Sequence, residues 1–360
     1  MSRTIWIVPI EPIDQRYTKQ WYDNIPKLLK QYLQKGEKIV TLDGHVEETG
    51  TTSGAFLDFG KTNEYKATQV VKISQLFSAG KVKAGDKFLV TDAWNFAITP
   101  IKYMSDLLDI PVEIHGIWHA GAYDPSDILG LKMQKPWPHH VERSWYYACD
   151  YNYFGTHFHK NMFLKNLEIP LYDHDKAHQS GQPHDYLKEE ILSIPKPQER
   201  DNILVWPHRY NEDKQPDIIE DIKEHIPEVE VVITQKHNFS KREYYELLCR
   251  SKMIFSCALH ENLGISMMEA VLAGCIPLMP KRASYQEMYD KEFLYPSRWT
   301  ESYSSYVFNR EDIINKIRTM MADHKNCLES IVAQQERLNK YLTADIMFSK
   351  LAERKIDGSK

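Results

Sequence analysis

No apolar run in this 360-residue chain comes near the roughly 20 residues that a membrane-crossing helix needs, so no membrane span is expected. The chain has five cysteines, Cys149, Cys249, Cys257, Cys275 and Cys327, and no CxxC pair. An odd count without paired spacing argues against a disulfide framework or a zinc site and leaves reduced core thiols as the expected state. There is no surplus of basic charge either. The formal net charge is −5, which does not suggest nucleic-acid binding through bulk charge, although a local basic patch stays open. G-x-G-x-x-G is absent after the first apparent strand, against a dinucleotide-dependent oxidoreductase. The start, Met1 to Trp6, enters that strand without the apolar core or small-residue cleavage site of a signal peptide, and the expected location is the cytoplasm. Fixed-period repeats and low-complexity segments are missing too.

What is present is a double alternation of short apolar runs with amphipathic segments. Strands are predicted over 4–8, 38–42, 87–91 and 112–117, with helices over 21–33, 67–79 and 98–108. A polar stretch, 173–199, with Gly181, Pro183, Pro195 and Pro197, reads as a linker. A second series follows, with strands over 202–206, 229–234, 253–256 and 276–279, helices over 217–225, 241–250 and 265–273, and a largely helical tail over 310–353. This pattern predicts an α/β chain of two Rossmann-like domains with parallel sheets. The expected divisions are an N-terminal domain over 1–180, a second domain over 181–335, and a C-terminal helix over 336–360 that packs back on the first domain. Open parallel sheets bind ligands at the carboxyl ends of their strands, so two facing sheets predict a central cleft suited to group transfer.

The segment richest in chemistry runs from Ser256 to Pro277. A strand ends near Ser256, a loop carries His260, Glu261, Asn262 and Leu263, and Gly264 lets the backbone approach a ligand before a helix begins at Ile265. The first N–H groups of a helix lack internal partners, and with the helix dipole they make an anion site that suits a diphosphate. Glu261 and Glu269 flank that site, positioned to accept hydrogen bonds from hydroxyls on either side. Such a strand, turn and helix occur in every α/β domain, so spacing alone leaves an ordinary structural role open for both carboxylates. A second segment, Trp206 to Pro216, sets Arg209 and Lys214 five apart in one loop, where both can reach one anion. A solvated polar turn is the competing reading.

Together these segments resemble the retaining two-domain glycosyltransferases of family 4, the GT-B type. That family carries two glutamates separated by seven residues, as Glu261 and Glu269 are, and an Arg and a Lys about five apart after the first strand of its second domain. The likeness is nearer still to the tRNA-queuosine mannosyltransferase group. It rests on the runs Trp206-Pro207-His208-Arg209, Asp213-Lys214-Gln215-Pro216 and Ala258-Leu259-His260-Glu261-Asn262-Leu263-Gly264, and on Pro280 with Tyr285-Gln286-Glu287. It covers roughly residues 200–300 well and the first domain loosely. The resemblance implies a nucleotide-sugar donor, UDP-linked, and neither a cofactor nor a divalent metal. Glu261 would bind donor-sugar hydroxyls and Glu269 the ribose. Arg209 and Lys214 would neutralise the leaving diphosphate. His260, Asn262 and the backbone of Leu263, Gly264 and Ile265 would complete the donor site, and His119 would contact the sugar. The chain departs from the family in the loop after its first strand, which has no glycine over Pro9 to Tyr17 and implies a specialised acceptor pocket, with Asp14, Arg16 and Tyr17 as its contacts.

The acceptor is open between two classes. The queuosine-like resemblance, and a composition like that of phage DNA-modifying glycosyltransferases (which would put the chain in the host cytoplasm), imply a modified nucleic-acid base in hydroxymethylated DNA or tRNA. The segment from Lys132 to Tyr147 interleaves cations with aromatic rings, as a surface that tracks a phosphate backbone and stacks on an extruded base would. Its competing reading is a loop and helix packed by their aromatics. The rival acceptor is a saccharide, and a nucleotide-sugar-binding protein without turnover is the alternative from another class. Asp173-His174-Asp175 has the letters of a DxD metal motif but falls in the expected linker, away from a strand end.

Overall fold

The computed structural model describes residues 3–14, 16–47 and 57–353. The chain divides into two compact units, Met1–Pro183 with Thr343–Lys360, and His184–Leu342.

The first unit is a six-stranded, all-parallel sheet of β1 (Thr4–Val8), β2 (Lys38–Thr41), β3 (Lys87–Val90), β4 (Glu113–Ile117), β5 (Tyr151–Phe154) and β6 (Ala177–Gln179), in the order β2-β1-β3-β4-β5-β6. Its helices are α1 (Tyr17–Lys30), α2 (Phe59–Ser78), α3 (Ile98–Leu107), α4 (Ile128–Lys132), α5 (Pro136–Ala148) and α6 (His157–Asn166). The central strands β3 and β4 are buried along their whole length, as parallel strands covered on both faces must be. The core around them is aromatic, with Phe88, Trp118, Tyr146, Phe154 and Phe163 all fully buried.

The second unit opens with α7 (Tyr186–Leu192). It is built on β7 (Asp201–Trp206), β8 (Glu230–Ile233), β9 (Ser251–Phe255), β10 (Ile276–Pro280) and β11 (Leu294–Tyr295), parallel in the order β11-β10-β9-β7-β8. Its helices continue with α8 (Pro216–His225), α9 (Lys241–Arg250), α10 (Ile265–Ala273), α11 (Tyr285–Met288), α12 (Tyr303–Ala322) and α13 (Leu328–Leu342). The last helix, α14 (Asp345–Ala352), belongs to the first unit, where Lys87 Nζ donates to Lys350 O at 2.8 Å.

In both sheets the second strand lies outside the first, and the third lies on the first strand's other side. The strand order therefore reverses between β1 and β3 in one unit and between β7 and β9 in the other. The carboxyl ends of the strands at such a reversal are where open α/β sheets bind ligands.

Several expectations change. The stretch 173–199 is not a plain linker. It contains the edge strand β6 and helix α7, and the chain passes between units at 183/184. The boundary expected at 335/336 falls inside the continuous helix α13. The chain leaves the second unit at 342/343, just before Ala344, which adopts φ 50°. Helix α2 begins eight residues before the expected 67, because Asp58 caps it by accepting from the Gly60 and Lys61 amides. Helix α1 likewise starts at Tyr17 rather than Trp21. Elements α4, β5, α6, α11 and β11 are additional to those expected, and α5 is the helix of the competing reading for Lys132 to Tyr147.

Candidate functional site

In the second unit the loops after β7 and β9 lie side by side because the two strands pair. The Leu259 amide donates to Asp213 O at 2.7 Å, and Gln215 Nε2 donates to Cys257 O at 2.6 Å. This zipper brings Lys214 to Glu261. The Lys214 ammonium donates to Glu261 Oε1 at 2.9 Å and to His260 O at 2.7 Å, and lies 3.0 Å from Asp213 Oδ2. Three partners match the three donors of an ammonium. The pair is well buried, with 8% of the Lys214 side chain and 20% of the Glu261 side chain exposed.

The electrostatics follow from that packing. Burial raises the Glu261 pKa, but Lys214 and His208 outweigh it and hold the carboxyl below its ordinary value. Burial lowers the Lys214 pKa, but Glu261 and Asp213 outweigh it, so the ammonium stays charged. His208, buried and next to Lys214, is pushed down to about 4 and is neutral near pH 7. Its Nε2 lies 2.8 Å from Ser256 Oγ, which in turn meets the Tyr285 hydroxyl at 3.3 Å and accepts from the Ala258 amide at 3.2 Å. A buried polar chain thus runs from Tyr285 through Ser256 and His208 toward the Lys214–Glu261 pair.

Gly264 is the N-cap of α10 at φ 74°, and a Cβ there would lie 2.8 Å from Tyr285 Cε1. Both the left-handed backbone and the close ring require glycine. The Met267 and Met268 amides turn back onto Gly264 O. The amides of Gly264, Ile265 and Ser266 therefore precede the first acceptor the helix offers, and they are the ones an anion would take. Leu263, expected in the donor site, buries its side chain, while His260, Asn262 and Ile265 are half-buried. Arg209 is half-buried in the loop after β7.

Glu269 is buried on α10. Lys241 Nζ donates to its Oε1, and the Tyr245 hydroxyl donates to the same oxygen at 3.1 Å. Both donors come from α9, one turn apart. Sequence reasoning missed them, as it missed Asp213, Ser256 and Tyr285. For the α9 donors the local signal was the Ser240–Glu243 capping box, which fixes where α9 starts, while Asp213 and Tyr285 stood in the motif runs without an assigned role.

In the first unit His119 follows β4. Its Nε2 donates to Thr91 O at 2.7 Å, so Nδ1 is the acceptor nitrogen, with the Tyr17 hydroxyl 3.2 Å and Gln182 Nε2 3.4 Å away. Burial pushes the His119 pKa down, in keeping with that neutral ring. The Tyr17 and Trp21 rings pack on it. Of the expected acceptor contacts the structure thus brings Tyr17 to His119. Asp14 is exposed, and Arg16 is half-buried at the N-cap of α1. The loop carrying His119 is held from α5 by Glu142 Oε1, which accepts from the Ala122 amide and from Trp94 Nε1. Burial pushes the Glu142 pKa up to about 7.

The Lys132 to Tyr147 segment folds mainly as α5. Its Trp145 and Tyr146 are core residues, with Tyr146 bonded to Asp173 O at 2.6 Å, while Trp137 and Tyr147 are exposed. Asp173 and His174 of the DxD-like triplet are engaged with Tyr147 and Ile169 O. Among the described residues no group of three His, Cys, Asp or Glu side chains is placed to hold a metal, and no helix is long and apolar enough to cross a membrane.

Solved structures share this architecture. An α,α-trehalose-phosphate synthase (UDP-forming) from Burkholderia vietnamiensis aligns over 97% of this chain and 99% of its own, with TM-score 0.62 and 11% identity. A sucrose-phosphate synthase from Thermosynechococcus elongatus aligns over 97% of each chain, with TM-score 0.60 and 11% identity. The fold is that of the GT-B glycosyltransferases, and at this identity the likeness extends to the fold alone. Among curated proteins, the tRNA-queuosine alpha-mannosyltransferase of Drosophila melanogaster is 30% identical over 26% of this chain. The chain spans about a third of that relative's length, 32%. No protein-family model matches the chain.

Proposed function

We propose that this chain is a retaining glycosyltransferase that moves a sugar from a nucleotide diphosphate, UDP-linked, to an acceptor hydroxyl. The observation that carries the reading is the Lys214–Glu261 pair beside the Gly264-capped start of α10, at the strand-order reversal of the second sheet. The amides of Gly264, Ile265 and Ser266 and the guanidinium of Arg209 take the diphosphate. Glu261, kept ionised by Lys214, accepts from sugar hydroxyls, with His260 and Asn262 alongside. Glu269, oriented by Lys241 and Tyr245, accepts from the ribose. His119 keeps the sugar-contacting role that the resemblance implies.

In the reaction the bond from the anomeric carbon to the diphosphate oxygen breaks, and its electron pair leaves with the nucleoside diphosphate. The acceptor oxygen bonds to that carbon from the same face, and its proton passes to the departing phosphate oxygen. The developing negative charge is met by groups fixed beforehand, which is how such sites lower a barrier. Arg209→Ala removes a charge-assisted hydrogen bond of about 1.5–3 kcal/mol and should slow transfer by roughly 10- to 100-fold.

For the acceptor we propose a modified nucleic-acid base, in keeping with the tRNA-modifying relative. A saccharide acceptor is favoured by a different observation, the burial of Trp145 and Tyr146, which removes two rings from any stacking surface on α5. A panel of nucleotide sugars against tRNA, hydroxymethylated DNA and a saccharide mixture separates the two, and the product anomer tests retention. An inverted anomer removes the retaining assignment. Nucleotide binding without turnover on any acceptor or water leaves a binding protein instead.

A further inference from the structure

The strand-order reversal of the first sheet holds a buried carboxyl that nothing above employs. Glu11 follows β1 at this reversal, next to Ile10, whose amide donates to Thr91 Oγ1 beyond the end of β3 at 2.8 Å. Glu11 is 0% exposed, and among the described residues neither of its carboxyl oxygens has a hydrogen-bond partner. The Thr62 hydroxyl on α2 is close enough to pull its pKa down but not in hydrogen-bond geometry, and that hydroxyl is itself buried without a bond. Burial and the Asp58 charge prevail and raise the pKa. Two cations, Lys66 and Lys61, pull the other way without reversing that shift, and Lys66 is bonded to Asp92 Oδ2 at 3.0 Å and Trp94 O at 2.7 Å.

A buried carboxyl without donors destabilises the fold that contains it. Open α/β sheets bind ligands at this position. We infer that Glu11 is an acceptor-binding residue, whose carboxyl takes an O–H or N–H donor from a hydroxyl or amine of the incoming acceptor, with the Thr62 hydroxyl beside it. The inference rests on the transferase reading for the identity of that ligand. The sequence expectation set the acceptor contacts at Asp14, Arg16 and Tyr17, further along the same loop. Glu11 differs from the exposed Asp14 in being desolvated, where a single hydrogen bond discriminates most strongly between ligands that have the donor and ligands that lack it.

The test compares wild type with Glu11→Gln and Glu11→Leu by thermal unfolding and by transfer kinetics on the acceptor panel. Glu11→Leu should melt about 2–10 °C above wild type, because it removes an unmatched buried carboxyl. The acceptor KM of both variants should rise at least tenfold, and Glu11→Gln should be the milder if the donor is a hydroxyl and as severe as Glu11→Leu if it is an ammonium. Melting below wild type for Glu11→Leu, or an unchanged acceptor KM, overturns the inference. If wild type turns over no nucleotide sugar, the transferase reading fails by itself. Glu11 is then read by thermal shift with ethanolamine and ethylene glycol, where stabilisation of wild type but not of Glu11→Leu supports the site and equal shifts overturn it.

Discussion

Replacing Lys214 by alanine tests the donor-site geometry through folding alone. The ammonium is shared by Glu261, Asp213 and the His260 carbonyl, and its removal leaves the Glu261 carboxylate largely desolvated beside a His208 that is neutral near pH 7. Breaking one side of a buried ion pair costs about 3–5 kcal/mol. Glu261 keeps some contact with water, 20% of its side chain, so the lower end applies, about 3 kcal/mol. For a unit of this size that is a drop of about 6–12 °C in Tm. Adding Glu261→Gln to Lys214→Ala removes the stranded charge and should recover more than half of the loss, a coupling that a double-mutant cycle measures directly. The assay is thermal or urea unfolding without nucleotide. Loss of less than about 1 kcal/mol in Lys214→Ala, or a double variant no more stable than the single one, refutes the arrangement. The family resemblance gives Lys214 and Arg209 the same part, neutralising the leaving diphosphate, so that losing either would be expected to slow transfer more than to weaken folding. The buried three-way contact changes that expectation for Lys214 and leaves it in force for Arg209.

Acid should loosen the same unit. A histidine whose folded pKa is depressed contributes stability that is complete above its unfolded value near 6.5 and is lost as pH falls through the folded value. With His208 at about 4, the loss between pH 6.5 and 4 is about 3 kcal/mol, and His208→Gln should flatten that slope in urea titrations at a series of pH values. Gly264→Ala meets both the positive φ and the Tyr285 ring, so it should cost about 1–3 kcal/mol by unfolding and weaken nucleotide binding; a neutral variant contradicts the cap geometry. Glu269→Ala should raise the donor KM with little change in kcat, and an unchanged donor KM contradicts the ribose assignment.

Much of the fold was readable because buried parallel strands hold short apolar runs, such as 88–90 and 253–255, between helical periods. Strand β6 was not, since Ala177-His178-Gln179 carries no apolar run and pairs only as a three-residue edge between Gly- and Pro-bearing segments. The start of α2 was hidden by Gly60, Thr62 and Asn63, poor helix formers that the Asp58 cap outweighs. In the site, Gly264 and the start of α10 were legible because turn chemistry is local. The Lys241–Glu269 contact spans 28 residues and depends on α9 packing against α10, which no spacing rule contains. The fate of Lys214 was hidden for the same reason. A lysine in a polar loop reads as an exposed cation until strand pairing sets Glu261 against it. Glu11, amid prolines, carries no pattern at all, and only its burial sets it apart.

The donor site at the start of α10 is tested most directly by an amide chemical-shift titration of the protein with UDP, beside the same titration of Glu269→Ala. The largest shifts are expected at Gly264, Ile265 and Ser266, with saturation needing about tenfold or more UDP in the variant. Shifts that bypass the start of α10, or no saturable response to any nucleoside diphosphate, would contradict that donor site.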